Sequence, residues 1–132
     1  MIDNVHEFHR KFGLPLGTDD QLSGDDHAVK FRVGFLEEEL TELQEALETD
    51  DRVAAFDALL DLAYVAYGTA LWLGIDPTQW HAGMRAVHNC NMAKERALNE
   101  SDSKRGSTFD VVKPDGWVGP EAQLKEILSW PK

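Results

Sequence analysis

Residues 27–48 read HAVKFRVGFLEEELTELQEALE, and this stretch decides the fold. Its valine and leucine side chains recur at spacings of three and four, which is the period of an amphipathic α-helix. On a helical wheel at about 100° per residue they fall within about 60° of Leu36, so we expect them to face the core. They are Val33, Leu36, Leu40, Leu43 and Leu47. The sequence therefore predicts one long helix that packs through this face.

The stretch after this helix is apolar almost all round, which is typical of a helix buried in the centre of a protein. It reads VAAFDALLDLAYVAYGTALWL and predicts a helix over about 52–73, with Asp50 or Asp51 as its cap. Gly74 ends this helix, and Asp76 followed by proline is a good start signal for the next one. The two long helices are joined by a short connection, so we expect them to run antiparallel.

The rest of the chain is predicted to form three shorter helices and loops, without a strand. These helices cover about 3–12, 77–97 and 120–129. Residues 98–119 form a loop of a length that is usually functional or disordered in compact domains. Residues 1–132 are therefore expected to form a single all-α domain, a bundle of four to five helices.

The composition limits the class of protein. The chain has 132 residues and one cysteine, Cys90, which excludes a disulfide framework and a cysteine-based zinc site. The first residues, MIDNVHEFHR, lack the apolar run of a signal peptide. The longest uninterrupted apolar stretch, AYVAYGTALWLGI, is too short to span a bilayer. We therefore expect a soluble, cytoplasmic protein without a membrane partner.

The charge is strongly negative and unevenly distributed. Acidic residues number 24 and basic residues 13, for a net charge of −11. Residues 19–61 hold 14 of the acids and 3 of the bases, so the whole excess lies in this part of the chain. Duplex nucleic acid needs a basic footprint, so it is not expected as a partner. Two interpretations remain, namely a solvated acidic surface or a site that concentrates divalent cations.

Five of these acids are placed to form one site. Glu38, Glu39 and Glu42 form the pattern EExxE beside the predicted core face, and carboxylates this close repel one another without a cation. Asp57 and Asp61 lie one turn apart on the apolar helix, and a buried acid must be paired, protonated or bound to metal. Because the helices are antiparallel, the two groups are expected to face each other. Such an all-carboxylate pocket suits Mg²⁺ or Mn²⁺.

These acids also allow other interpretations. The glutamates also fit a solvated helix face, with Asp57 paired to Arg85 or Arg96. A di-iron centre is disfavoured, because no histidine stands three residues after any of the five acids. A calcium-binding EF-hand loop that starts at Asp19 fails, because its twelfth residue is Lys30 where glutamate is required.

Basic and amide side chains provide a second group of candidates. The apolar stripe of the helix predicted over 77–97 continues to Asn91 and Lys94. Lys94 either complements the C-terminal end of the helix dipole or contacts the phosphate or base of a ligand. Arg32 projects near Glu39 on the helical wheel, where it either neutralises the acids or reaches a phosphate.

Several segments, taken in order, resemble the all-α nucleoside triphosphate pyrophosphohydrolases, the superfamily of MazG, phosphoribosyl-ATP pyrophosphohydrolase and dimeric dUTPase. They are VHEFHRKFG, LEEELTELQEA, DLAYVAYGTALWLGID, HNCNMAKE and KPDGW. EExxE alone is a weak motif, but the ordered combination is strong. The compact single-domain form is similar to the bacterial and viral MazG-like members.

The resemblance implies Mg²⁺-dependent cleavage of a nucleoside triphosphate between its α and β phosphates, with two or three ions that Mn²⁺ can replace. Glu39 and Glu42 match ligands of the main metal, and Asp61 matches the acid that ends the second motif. Glu38 matches a second-metal ligand or the base that activates water, so Glu38 and Glu39 are the expected catalytic pair. The family often has glutamate where Ala58 stands, which leaves direct metal contact by Asp57 the least certain.

The resemblance also implies a nucleotide-binding group and an assembly. Arg32, Asn91, Lys94, Lys113 and Trp117 match substrate-binding segments, with Trp117 either stacked on a base or holding down the tail. The expected substrate is a deoxynucleoside triphosphate, with dGTP or dUTP favoured. A homodimer or homotetramer is expected, because two long and two short helices leave apolar surface uncovered. The rival interpretation is a non-catalytic acidic helical module with a regulatory role.

Overall fold

The structure is a computed structural model that describes all residues from 1 to 132. The elements are α1 (Ile2–Phe12), α2 (Asp26–Glu48), α3 (Arg52–Trp72), α4 (Pro77–Met92), β1 (Glu95–Arg96), β2 (Val111–Val112) and α5 (Glu121–Leu128), with a 3₁₀ turn over Glu100–Asp102. The two short strands pair antiparallel, with Glu95 opposite Val112. The prediction of an all-α fold is confirmed.

Local sequence sets where the long helices begin. Of the two candidate caps for α3, Asp51 is the one used, because its side chain accepts hydrogen bonds from the N–H groups of Val53 and Ala54. Asp50 instead adopts a positive φ of 56° in the turn between α2 and α3. The carboxylate of Asp76 accepts an N–H from the first turn of α4, as predicted from the sequence.

The predicted helix over 77–97 is wrong at its C-terminal end. Helix α4 stops at Met92, and the chain continues into β1. The pairing of β1 with β2 uses backbone groups that a longer helix would have kept, and the N–H of Ala97 donates to the carbonyl of Asp110. The segment predicted as a structureless loop therefore contains a strand and a 3₁₀ turn.

The chain forms two compact units, which are described separately. The first unit comprises residues 1–80 together with Lys132, and the second comprises residues 81–131. A single domain over the whole chain stays a prediction.

In the first unit, α2 and α3 form an antiparallel hairpin. Arg32, near the start of α2, bonds to Val65 and Thr69 in the second half of α3. Glu39, farther along α2, lies near Asp61, which is earlier on α3. Helix α1 also packs on α3. One side of α3 is therefore covered by its two neighbours.

The face of α2 that meets the core differs from the predicted one. Its buried residues are Ala28, Arg32, Glu39 and Ala46. Three members of the predicted face, namely Val33, Leu40 and Leu47, are 47%, 57% and 66% exposed. Small alanines let the two helices approach closely, and the bonds of Arg32 to α3 fix the rotation of α2. The prediction that these large apolar residues form the core face is therefore wrong for Val33, Leu40 and Leu47, whereas Leu36 and Leu43 are half-buried.

Helix α3 is not the buried element that its composition suggested. Its residues Val53, Phe56, Leu59 and Leu60 are all exposed. The reason is that the other helices of the same chain, α1 and α2, pack against only one side of α3. By length and composition the 21 residues of α3 meet the criteria for a membrane span, with a mean hydropathy of 1.3, but this is weak evidence of insertion.

The second unit is held by a small apolar contact and by a polar loop. Ala82 and Ala86 of α4 pack with Ile127 of α5. In the loop, the hydroxyl of Ser103 donates to Asp110 at 2.7 Å, and Arg105 approaches the same carboxylate at 2.9 Å. The Ser103 bond is the largest of the contacts that lower the pKa of Asp110. These bonds explain how a Gly-, Ser- and Lys-rich segment keeps a defined path.

Candidate active site

The centre of the predicted acidic site is Glu39, on the face of α2 that meets α3. Its side chain is buried at 8% exposure, and its Oε2 atom has no hydrogen-bond partner. Burial raises the pKa of this carboxyl, and four neighbouring acids raise it further. They are Asp61, Glu42, Glu38 and Asp57, in order of decreasing effect. The structure thus brings together all five carboxylates that the sequence predicted, which we call the carboxylate cluster.

The burial of these acids differs from the sequence prediction. Asp57 and Asp61 were expected to be buried within an apolar helix, and both are exposed. In the same part of α3 only the small residues Ala55 and Ala58 are buried against the rest of the chain. Glu39, expected at the border of the core face, is the buried acid, because the rotation of α2 turns it toward α3.

The carboxylate cluster offers the donor atoms of a divalent-cation site, but its side chains do not surround a common position for an ion. As the side chains stand, no group of three or more acidic, histidine or cysteine side chains can hold one ion together. The donors are all carboxylate oxygens, which suit Mg²⁺ and Mn²⁺. A buried oxygen without a partner is costly, and a cation would remove that cost. The residues present therefore fit a hard cation.

Arg32 lies on the same stripe of α2 and bonds to α3 rather than to the acids. Its Nη2 donates to the carbonyl of Val65 at 2.7 Å and to the hydroxyl of Thr69 at 3.0 Å. Its Nε donates to the same hydroxyl at 3.2 Å. Of the two roles considered for Arg32, neutralisation of the acids is not what the structure shows.

A recess beside Arg32 was missed by sequence reasoning. Phe8, Phe31, Phe35, Tyr64 and Trp72 contribute rings to its lining. The rings come from three helices, so no single stretch of sequence marks the recess. The only local signal is the pair of phenylalanines that stand one turn apart on either side of Arg32.

The predicted nucleotide-binding residues of the second unit form a group around Trp117. The ammonium groups of Lys113 and Lys94 lie 4.5 Å and 5.4 Å from the centroid of its ring. The indole N–H donates to the carbonyl of Cys90 at 2.7 Å, which ties the loop to the end of α4. Of the two roles predicted for Trp117, these contacts favour holding down the tail. Asn91 is exposed.

The fold and the cluster together define an all-α protein with a carboxylate site on a helical hairpin. The model of the phosphoribosyl-ATP pyrophosphohydrolase family matches residues 5–89. The chain belongs to this family, which is part of the MazG-like all-α nucleoside triphosphate pyrophosphohydrolase superfamily. The resemblance noted in the sequence is therefore confirmed.

A viral relative is similar over part of its length. It is an uncharacterised protein, L479, of Acanthamoeba polyphaga mimivirus, 35% identical over 75 residues. The match covers 54% of this chain and 30% of the relative. The chain thus spans well under half the length of the curated relative it matches.

The family match fixes the class of the domain. It is a pyrophosphohydrolase domain, of the hydrolases that act on phosphoric anhydrides. The family is soluble and cytoplasmic in kind. The carboxylate cluster and Arg32 lie inside the matched residues 5–89, whereas the other four predicted nucleotide-binding residues lie outside them. Those four are Asn91, Lys94, Lys113 and Trp117.

Proposed function

We propose that this protein is a Mg²⁺-dependent pyrophosphohydrolase that converts a nucleoside triphosphate to the monophosphate and pyrophosphate. The observation that carries the proposal is the buried, unpartnered carboxylate oxygen of Glu39 among four further acids, within the part of the chain that matches the family. A triphosphate is a polyanion, and it cannot approach this surface without cations. Two or three Mg²⁺ or Mn²⁺ ions, when bound, would polarise the phosphorus and lower the pKa of water.

The roles proposed for the individual acids are those that the family resemblance implies. Glu39, held rigidly on α2, would keep the position of a cation fixed, together with Glu42 and Asp61. Glu38, which is exposed, is proposed either to bind a second ion or to accept the proton of the attacking water. Asp57 faces the same cluster one turn before Asp61 and completes the proposed ligand set.

The proposed substrate is a deoxynucleoside triphosphate, with dGTP and dUTP favoured. Arg32, Asn91, Lys94, Lys113 and Trp117 are proposed to bind it. Two of these residues present ammonium groups beside the same indole ring, and ammonium groups are suitable partners for phosphate.

We also propose that the protein acts in the cytoplasm as a homodimer or homotetramer, without duplex nucleic acid or membrane as a partner. The support is the set of exposed apolar side chains on α2 and α3, because contiguous apolar surface often marks a protein–protein interface. The exposed residues there include Leu40, Leu47, Val53, Phe56, Leu59 and Leu60.

A second candidate function is a non-catalytic acidic helical module. The observation that favours it is that no three side chains stand ready to hold an ion. On this view Mg²⁺ leaves the melting temperature unchanged, and removal of single charges from the cluster stabilises the fold with or without the metal.

Identification of the products tests the proposed reaction. The protein is incubated with Mg²⁺ and each common ribo- and deoxynucleoside triphosphate, and the products are separated by anion exchange. The proposal predicts monophosphate and pyrophosphate in equal amounts from at least one of them. Diphosphate with orthophosphate would contradict it, as would the absence of turnover from a folded protein with Mg²⁺ present.

A further inference from the structure

Arg32 carries a positive charge into the interface between α2 and α3. The residue is 6% exposed. Its Nε and Nη2 atoms both donate to the hydroxyl of Thr69, and Nη2 also donates to the carbonyl of Val65. Its guanidinium carbon lies 5.5 Å from the ring centroid of Phe35 and 5.8 Å from that of Trp72. Because a guanidinium is a rigid planar fork, these contacts fix both its position and its orientation.

Thr69 uses the full hydrogen-bonding capacity of its hydroxyl group in this contact. The hydroxyl accepts two bonds from Arg32 and donates one to the carbonyl of Val65 at 2.8 Å. A hydroxyl has one donor and two acceptor lone pairs, so no capacity is left over. Valine at this position would keep the shape of the side chain but would offer no acceptor to the Nε of Arg32. Thr69 is therefore the side chain that holds Arg32 against α3.

Gly68 leaves the space that the guanidinium occupies. It lies in the second half of α3 and is buried. A Cβ built at this position would lie 2.9 Å from Nη2 of Arg32, a separation that real side chains essentially never show. An alanine here would therefore push the guanidinium away from its partners on α3, while the helix itself would accept the alanine readily.

The other fully buried residues of α2 do little to fix the rotation of the helix about its axis. Besides Arg32 and Glu39 they are Ala28 and Ala46, whose small side chains interlock little with a neighbouring helix. The charge of Glu39 favours an outward rotation, because such a rotation would return its carboxylate to water and move it away from Asp61. The bonds of Arg32 to α3 oppose this rotation.

We propose that Thr69 is a positioning residue for the reaction: it holds Arg32, and Arg32 keeps α2 turned so that the carboxylate of Glu39 faces the acids of α3. The inference rests on the proposed function, since it assigns the reaction to the carboxylate cluster. Arg32 precedes Glu39 by seven residues, which is nearly two helical turns and about 10 Å along the same stripe. Side chains end about 5–6 Å from a helix axis, so a rotation of about 10° moves a carboxylate by about 1 Å.

The first test is the kcat of pyrophosphate release at saturating Mg²⁺ and substrate. A displacement of about 1 Å can cost about a hundredfold in rate. We therefore expect Thr69→Val and Gly68→Ala to lower kcat between about tenfold and about a hundredfold, whereas Thr69→Ser keeps the hydroxyl and should retain the wild-type kcat. Gly34→Ala is the matched control for Gly68→Ala, because a Cβ at this glycine of α2 would meet nothing within 4 Å. A wild-type kcat in Thr69→Val, or an equal loss in Thr69→Ser, would overturn the proposal.

A thermodynamic cycle without metal tests the positioning role independently of activity. The urea midpoint of unfolding is measured for Thr69→Val in the wild-type and Glu39→Gln backgrounds, with a chelator and at about pH 8, far above the ordinary pKa of glutamate. In the wild-type background, the outward rotation of the charged Glu39 offsets part of the destabilisation. We therefore expect the midpoint to fall less there than in the Glu39→Gln background. Sites about 10 Å apart without shared partners are usually additive, so equal falls would show a merely structural role and overturn the proposal.

Gly68→Ala provides the same cycle by a second route if Thr69→Val does not fold. It displaces Arg32 without removing an acceptor, and alanine favours the helix. The two tests also separate this inference from the proposed function. A coupled cycle in a wild type that shows no turnover would support the hold of Thr69 on α2 and overturn the proposed function. Turnover together with an additive cycle would do the reverse.

Discussion

At the scale of single residues, the buried charge of Glu39 lowers the stability of the folded protein. Either protonation of the carboxylate or binding of a cation removes this effect. Its carboxylate is removed from water, and its Oε2 atom finds no donor. Like charges on α2 and α3 add to the effect of burial and raise its pKa further. A chain that kept such a group for stability alone would do better with a neutral side chain.

Removal of the charge at Glu39 should have opposite consequences in the two metal states. In buffer that contains a chelator and no Mg²⁺, we expect Glu39→Gln to raise the melting temperature. The substitution removes both the desolvation of a charge and its repulsion by the neighbouring acids. With Mg²⁺ at one hundred times its Kd, the wild type gains about 2.7 kcal/mol of unfolding free energy, and the variant gains much less. Thermal melts with and without Mg²⁺ measure both effects.

Glu45→Gln is the control, since Glu45 is an exposed acid of the same helix outside the cluster. It should respond to Mg²⁺ as the wild type does. A wild-type protein that neither Mg²⁺ nor Mn²⁺ stabilises, with or without a nonhydrolysable nucleotide, would contradict the metal site.

His9 should make stability depend on pH. Burial lowers its pKa below the ordinary value of 6.5, which outweighs the opposing bond to Pro15, and the charges of Arg32 and His6 lower it as well. The unfolded chain therefore binds this proton more readily than the folded one. Its stabilising contribution is complete above pH 6.5 and is lost as the pH falls toward the folded pKa.

Urea titrations between pH 5 and pH 8 measure this dependence, and His9→Gln removes the titrating group while keeping a polar side chain. The unfolding free energy of the variant should change less steeply with pH below about 6.5 than that of the wild type. Equal slopes in the two proteins would show that His9 is not held neutral.

At the scale of the elements, the sequence predicted the bounds of the long helices better than their rotation about their own axes. The long helices were predicted over 27–48 and about 52–73, and they cover Asp26–Glu48 and Arg52–Trp72. Periodicity shows which side chains share a face, but it does not show which face a neighbour covers. The buried stripe of α2 carries Arg32 and Glu39, which the hydrophobic pattern placed at the border of the predicted core face rather than at its centre. The two-residue strands were missed because they are too short to show a period.

The cap of α3 provides a test at this scale. Asp51→Ala removes the acceptor for two N–H groups at the start of the helix, so we expect a loss of about 1 kcal/mol in unfolding free energy. Asp51→Ser keeps an acceptor in the same place and should recover most of that loss. Urea denaturation measures both variants, and a serine variant no more stable than the alanine one would contradict a capping role.

At the scale of the whole molecule, one side of α3 stays apolar and uncovered, as the expectation of a homo-oligomer requires. The composition of the helix predicted burial, and one chain buries only part of it. The carboxylate cluster could be predicted because a short connection brings α2 and α3 face to face. The aromatic recess could not, because its lining joins residues from α1, α2 and α3 that are far apart in the sequence.

Self-association should depend on this surface. We expect the wild type to sediment as a dimer or tetramer, and Phe56→Glu to shift it toward the monomer, because the change places a charge on an exposed apolar face of α3. Phe109→Glu changes an exposed ring in the second unit and should leave the assembly intact. A wild type that is monomeric at every concentration in analytical ultracentrifugation would refute the proposed assembly.

The most direct test of the central claim is the rate of pyrophosphate release with Mg²⁺ by three matched proteins, namely the wild type, Glu39→Gln and Glu45→Gln. Both substitutions replace a glutamate of α2 by glutamine, but only Glu39 belongs to the carboxylate cluster. The account predicts monophosphate and pyrophosphate from dGTP or dUTP in the wild type and in Glu45→Gln, and a loss of at least about a hundredfold in Glu39→Gln. Equal rates in all three proteins would contradict the placement of the reaction at Glu39.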